Sequence, residues 1–65
     1  PAQSTIYSVV RHPNGSHNIS ISRPYGSSSI GGVQQLEDYL PHHLLPAFDE
    51  LRYPAPPKQV VDPDR

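Results

Sequence analysis

Residues 5–22 read TIYSVVRHPNGSHNISIS, and the architecture follows from how this stretch pairs with itself. Thr5-Ile6-Tyr7-Ser8-Val9-Val10 is β-branched and aromatic, which suits a pleated strand. His17-Asn18-Ile19-Ser20-Ile21-Ser22 alternates polar and apolar with the period of two that marks a half-buried strand. Between them, Pro13 presets φ for the second position of a type I turn, and Gly15 can take the positive φ that closes a three-residue loop with a bulge. If Pro13-Asn14-Gly15 is the loop, paired residue numbers sum to about 28 by hairpin arithmetic. Val9 then faces Ile19 and Tyr7 faces Ile21, so four apolar side chains share one face as adjacent cross-strand pairs. A two-residue Asn14-Gly15 turn would instead put Pro13 into the ladder, where it has no N–H to give, and would set Ile21 against Ser8. The three-residue loop is therefore preferred, because register follows the buried face. The opposite face, with Ile6, Ser8, Val10, Asn18, Ser20 and Ser22, is half polar and is expected to meet water or a polar partner surface.

A lone hairpin is marginal in water, so something must cover Tyr7, Val9, Ile19 and Ile21. Downstream, Val33, Leu36, Leu40 and Leu44 recur at spacings that place them on one helical stripe. Pro41 interrupts that stripe, and Pro46 can open a second short helix carrying Phe48 and Leu51. The intervening RPYGSSSIGG, residues 23–32, reads as a Gly/Ser joint whose serines cap the helix. From Tyr53 onward, YPAPPKQVVDPDR favours extended polyproline II. The expected architecture is thus a small α+β domain over residues 1–52, made of hairpin 4–23, joint 24–32 and a proline-broken helical segment 33–52. An extended proline-rich tail, 53–65, follows it.

Composition sharpens the question of what completes the core. The chain has 65 residues, no cysteine, tryptophan or methionine, a single phenylalanine and 34% hydrophobic residues. A chain near this size buries only about 60% of the surface that its unfolded form exposes. Such chains usually add disulfides, a metal or a partner. No thiol is present to supply the first, and its absence is mildly consistent with a reducing compartment. The net charge is −1, with five dispersed basic residues, Arg11, Arg23, Arg52, Lys58 and Arg65. That pattern lacks the clustered basic patch of a nucleic-acid binder. No apolar run approaches the roughly 18 residues of a membrane span. No charged start followed by an apolar stretch resembles a signal peptide, although Pro1 in place of Met leaves a removed leader open.

Four motifs invite chemistry. In RPYGSSSIGG, a Gly-rich turn before a helix could cradle phosphate through backbone amides. It lacks the lysine and the glycine spacing of the phosphate-binding motifs, which leaves at most a weak anion contact beside Arg23. The histidines His12, His17, His42 and His43 lack the i, i+4 spacing of helical zinc ligands, and they read as surface residues near the turn and the helix break; no metal or other cofactor is expected. Asn14-Gly15-Ser16 and Asn18-Ile19-Ser20 match the glycosylation acceptor triplet, which is common by chance. No Gly-x-Ser-x-Gly elbow supports a serine nucleophile.

An N-terminal proline amine whose pKa falls toward neutrality can act as a base. Pro1 followed by Arg11 resembles the corresponding pair in small tautomerases of the 4-oxalocrotonate type, which have about this length. The resemblance rests on these two residues. It implies a keto-enol isomerase with Pro1 as base, but that family runs strand, long helix, strand, whereas this chain reads strand, strand, helix.

The function expected from the sequence is a non-enzymatic protein-interaction module. It would be an accessory subunit or small binding partner that completes its core on another chain or by self-association. Tyr7, Val9, Ile19 and Ile21 would meet either the chain's own helix or a partner. Tyr39, Phe48 and Tyr53 are candidate anchors, since aromatic residues dominate interface hot spots. Pro54 and Pro57 frame a PxxP pattern that could dock as preformed polyproline II. The alternatives are the Pro1 tautomerase-like enzyme and an autonomous miniature domain with a weak anion-binding loop, its aromatics filling its own core.

Overall fold

The computed structural model describes residues 4–49 and 56–63. It is a mostly β protein: a four-stranded antiparallel sheet in the order β3-β2-β1-β4, with two short 3-10 segments. The strands are β1 (Thr5–Arg11), β2 (His17–Arg23), β3 (Gly26–Val33) and β4 (Lys58–Asp62). The 3-10 segments are η1 (Leu36–Asp38) and η2 (His42–Phe48).

The central hairpin has the register expected from its buried face, with Tyr7 opposite Ile21 and Val9 opposite Ile19. Its loop closes by two backbone bonds, His12 N–H to Ser16 O at 2.9 Å and Gly15 N–H to His12 O at 2.9 Å. Gly15 takes φ 92°, a left-handed conformation that costs an L-residue with a Cβ. The Asn14 Oδ1 accepts from Ser16 N–H at 3.0 Å and from Ser16 Oγ–H at 2.8 Å, so the side chain locks the loop it sits in.

Three sequence expectations are corrected. The first concerns residues 24–32, which are not a joint. Pro24-Tyr25 forms a tight turn, and Gly26–Val33 pairs with β2 from Arg23–Gly26 to His17–Val33. The physical reason is backbone accounting. Alternate residues of β2 direct their N–H and C=O away from β1, and those groups need partners. Serine and glycine are poor strand formers, but they meet this need without a side chain that must be buried. Near the end of the pairing, the register shifts between His17 and Ile19, so that Gly31 and Gly32 together oppose Asn18. Gly32 has φ 69° within this bulge. The extra residue rotates the chain, and Ile30 and Val33, three apart, come to the same covered face.

The second correction concerns the helical segment. Val33, Leu40 and Leu44 are buried and Leu36 is half-buried, as the stripe implied. They are not carried by an α-helix. Val33 ends β3, and the rest lie on tight turns closed by Tyr39 N–H to Leu36 O at 3.0 Å, Leu44 N–H to Pro41 O at 3.0 Å and Asp49 N–H to Pro46 O at 3.4 Å. Pro41 bars α geometry at Leu40, and only four residues separate it from Pro46, too few to repay helix nucleation. The third correction concerns the tail. Its Pro-free, β-branched run Lys58–Asp62 is a strand, paired antiparallel with β1 from Thr5–Asp62 to Val9–Lys58. The α+β description therefore gives way to a sheet with a 3-10 cover.

Strand order explains how the core is sealed. β3 and β4 are opposite edges of the sheet, and η1 and η2 lie in the connection between them. These segments lie over one face and bury Leu40, Leu44 and Phe48 against Tyr7, Val9, Ile19, Ile21 and Val33. Val9 and Ile19 are fully enclosed and Phe48 is 2% exposed. Truncating Val9 to Ala should cost about 2–3 kcal/mol through lost burial and a cavity. Gly32→Ala should cost about 1–2 kcal/mol through left-handed strain alone, since a Cβ there would meet nothing within 4 Å. Chemical denaturation of both variants checks these values, and a Gly32→Ala chain as stable as the parent would contradict the bulge.

Candidate interaction surface

The two faces of the sheet differ in kind. The crossover covers one of them. On the other, β1 presents Ile6, Ser8 and Val10, all half-buried, while Asn18, Ser20 and Ser22 of β2 are exposed. The pairings align these side chains in rows. One row is Val61, Ile6, Ser22 and Ser27, and the next is Gln59, Ser8, Ser20 and Ser29. Val61 is 56% exposed at the start of the first row. Among the described residues this outer face has no covering layer. It is an even, hydroxyl-rich surface with an apolar margin along β1 and β4.

The residues singled out from the sequence are distributed unevenly over the molecule. Tyr7, Val9, Ile19, Ile21 and Phe48 lie together in the core, covered by the chain's own 3-10 segments. Tyr39 is 48% exposed just beyond η1. Pro57 is exposed immediately before β4, and Tyr53 and Pro54 lie outside the described residues. Sequence reasoning missed the outer face as a continuous surface, because two of its four strands were read as joint and tail. The alternation of serines in Ser27-Ser28-Ser29 was not an adequate signal, since all three are polar.

The histidines do not behave as one group. His17 was expected at the surface but is 4% exposed, because it shares the parity of Ile19 and Ile21 and so points to the covered face. Its Nδ1–H donates to the Val33 carbonyl at 3.1 Å, tying the bulged end of β3 to β2. His43, at the start of η2, lies 3.1 Å from the Asp62 carboxylate through Nε2 and links η2 to β4. The pair is exposed on the histidine side, 65% against 21% for Asp62. Among the described residues no three His, Cys, Asp or Glu side chains converge as metal ligands.

RPYGSSSIGG does not present a helix N-terminus to an anion. It is a turn and an edge strand, and the helical piece that follows has only three residues. Arg11 ends β1, whereas Pro1 lies outside the described residues. Among the described residues, no helix is long and apolar enough to cross a membrane. Comparison with protein-family models, with curated proteins and with solved structures found no match to this chain.

The contrast between the two histidine contacts is measurable. His17→Ala removes a buried hydrogen bond and the ring's packing, and it should cost about 2–4 kcal/mol. His43→Ala removes an exposed pair and should change stability by less than about 0.5 kcal/mol. Equal effects in urea denaturation would show that one of the two contacts has been misjudged.

Proposed function

We propose that this chain is a non-enzymatic protein-interaction module, an accessory subunit or small binding partner, and that its outer sheet face is the surface it offers. One observation carries the reading: among the described residues, the sheet is covered on one face only. The core residues first considered as contacts are already occupied by the chain's own crossover. Interaction is thereby assigned to Ile6, Val10 and Val61 and to the serine rows beside them.

The composition of this face suits a protein partner. Apolar side chains along β1 and β4 supply burial, and serine hydroxyls can donate and accept without the cost of desolvating a charge. Its rows are pleated and nearly free of long side chains, so another sheet or an extended segment could approach closely. The low apolar content of the chain is consistent with a molecule whose stability gains from association.

The test places a photoreactive residue at Ser20, in the middle of the outer face, and at Leu45 in η2 as control. Irradiation of cells producing the full chain should give a protein adduct from Ser20 and little from Leu45. The Ser20 adduct should fall at least about tenfold when Val10→Lys is added, because a buried lysine ammonium is costly at an apolar contact. An adduct that persists with Val10→Lys, or that forms equally from Leu45, would remove the outer face from consideration.

A further inference from the structure

We propose that the edge of β4, unpaired among the described residues, pairs antiparallel with β4 of a second copy, joining two four-stranded sheets into one of eight strands. The proposal deepens the interaction reading above and rests on it, but it concerns a different surface: the sheet edge rather than the sheet face.

Backbone groups along a strand point alternately to its two neighbours, and their direction here can be followed across the sheet. The His12 N–H to Ser16 O bond marks the His12–Ser16 pair as hydrogen-bonded. Antiparallel pairs alternate between bonded and non-bonded, so Val10–Asn18, Ser8–Ser20 and Ile6–Ser22 are the bonded pairs of β1 and β2. Thr5, Tyr7 and Val9 therefore direct their backbone groups to β4, where they meet Asp62, Val60 and Lys58. Gln59 and Val61 are left to direct N–H and C=O outward from the sheet. Pro57 and Pro63, which flank the strand at the same parity, have no N–H. The edge is thus a short donor window of two residues closed by proline at each end.

The sequence of that window is complementary to itself. When two copies of Lys58-Gln59-Val60-Val61-Asp62 run antiparallel about Val60, Lys58 of one faces Asp62 of the other, twice over. Gln59 faces Val61 in the two hydrogen-bonded pairs, and Val60 meets its own copy on the twofold axis. Shifting the register by two residues in either direction keeps the backbone compatible but separates lysine from aspartate. Opposite charges directly across an antiparallel pair stabilise it, and the Lys58–Asp62 pairs would be of the non-bonded kind, in which side chains approach most closely. Asp62 already accepts from His43 through Oδ1. A carboxylate has a second oxygen and further lone pairs for Lys58 of the other copy. Symmetry about an axis normal to the sheet puts both covers on one side and both outer faces on the other, so the surface offered to a partner doubles.

Five residues per chain make a small contact, so the association is weak, with a dissociation constant on the order of 100 µM. Sedimentation equilibrium of the full chain from about 20 µM to about 2 mM, bracketing that value, should show mass rising toward that of a dimer. Lys58→Glu sets a carboxylate against Asp62 of the other copy, and Asp62→Lys sets an ammonium against its Lys58. Each should weaken self-association by on the order of tenfold or more. Mixing the two variants restores an attractive pair at each end of a heterodimer, one lysine–aspartate and one glutamate–lysine by position. Of these, the variant carrying Lys58→Glu offers its carboxylate to the new lysine at position 62, and its own Asp62 meets the unchanged Lys58 of the other variant. The heterodimer should form with an affinity within about threefold of the parent. Circular dichroism melts confirm that each variant is folded before it is weighed. A parent chain that stays monomeric across the range, or single variants that dimerise like the parent, or a mixture no tighter than its components, overturns the proposal. Val10→Lys separates the two readings. If it abolishes dimerisation while Lys58→Glu does not, self-association belongs to the outer face, and only the edge proposal fails. If it abolishes the Ser20 adduct and leaves the dimer intact, both stand.

Discussion

The structure depends on the Val9–Ile19 pair being enclosed. These two side chains face each other at the centre of the sheet, and neither retains any contact with water. In a chain of this size few other residues have a full shell of neighbours to bury against. Enclosure requires a cover, and the cover is the connection from one sheet edge to the other. β3 and β4 are the two edges, three strand spacings or about 14 Å apart. The segment that leaves β3 lies over the face bearing Val9 and Ile19. Burial thus selects the route, and Phe48, the single phenylalanine, is delivered to the middle of that face.

Two local devices make that crossover possible. The Gly31-Gly32 bulge turns the end of β3 inward, and the His17 side chain holds the turned strand by its bond to the Val33 carbonyl. A polar side chain in a small core is costly unless it is hydrogen-bonded. Here the bond joins the last residue of β3 to the first of β2, at the point where the chain leaves the sheet. The prolines at 41 and 46 then keep the cover in short 3-10 turns. Such turns present side chains at intervals of three rather than along a continuous helical face, which suits a thin layer over a narrow sheet.

Among the described residues, the sheet offers one face and two edges beyond the covered core, and the edges are treated differently. β3 is bordered by small side chains and carries no proline. β4 is five residues long and framed by Pro57 and Pro63, with a lysine at one end and an aspartate at the other. Shortness, proline and charge are the usual means of restraining an edge strand. On β4 the same features also select a partner strand of matching length and opposite charge order, which its own sequence supplies. The side-chain rows of the outer face extend across all four strands only because both edge strands are present.

The hairpin was legible from residue order alone. Turn chemistry at Pro13, Asn14 and Gly15 and the parity of Tyr7, Val9, Ile19 and Ile21 fix its register through contacts close along the chain. Residue order also marked which downstream side chains meet the core, since the spacing of Val33, Leu36, Leu40 and Leu44 set them on one stripe, and three of them are buried and Leu36 half-buried. The conformations that carry them were set by the assembled sheet. A run such as Gly26–Val33 has little strand preference of its own and becomes a strand because β2 presents unmet backbone groups beside it. Lys58–Asp62 likewise becomes a strand on β1, many residues away. The burial of His17 was legible in its parity with Ile19, but its partner, the Val33 carbonyl, is in place only once the bulge has formed. Local preference is worth tenths of a kilocalorie per residue, whereas each ladder hydrogen bond contributes about 0.5–1.5 kcal/mol net, and the pairing also brings Ile30 and Val33 onto the covered core. These gains prevail, and they belong to the whole sheet rather than to any segment within it.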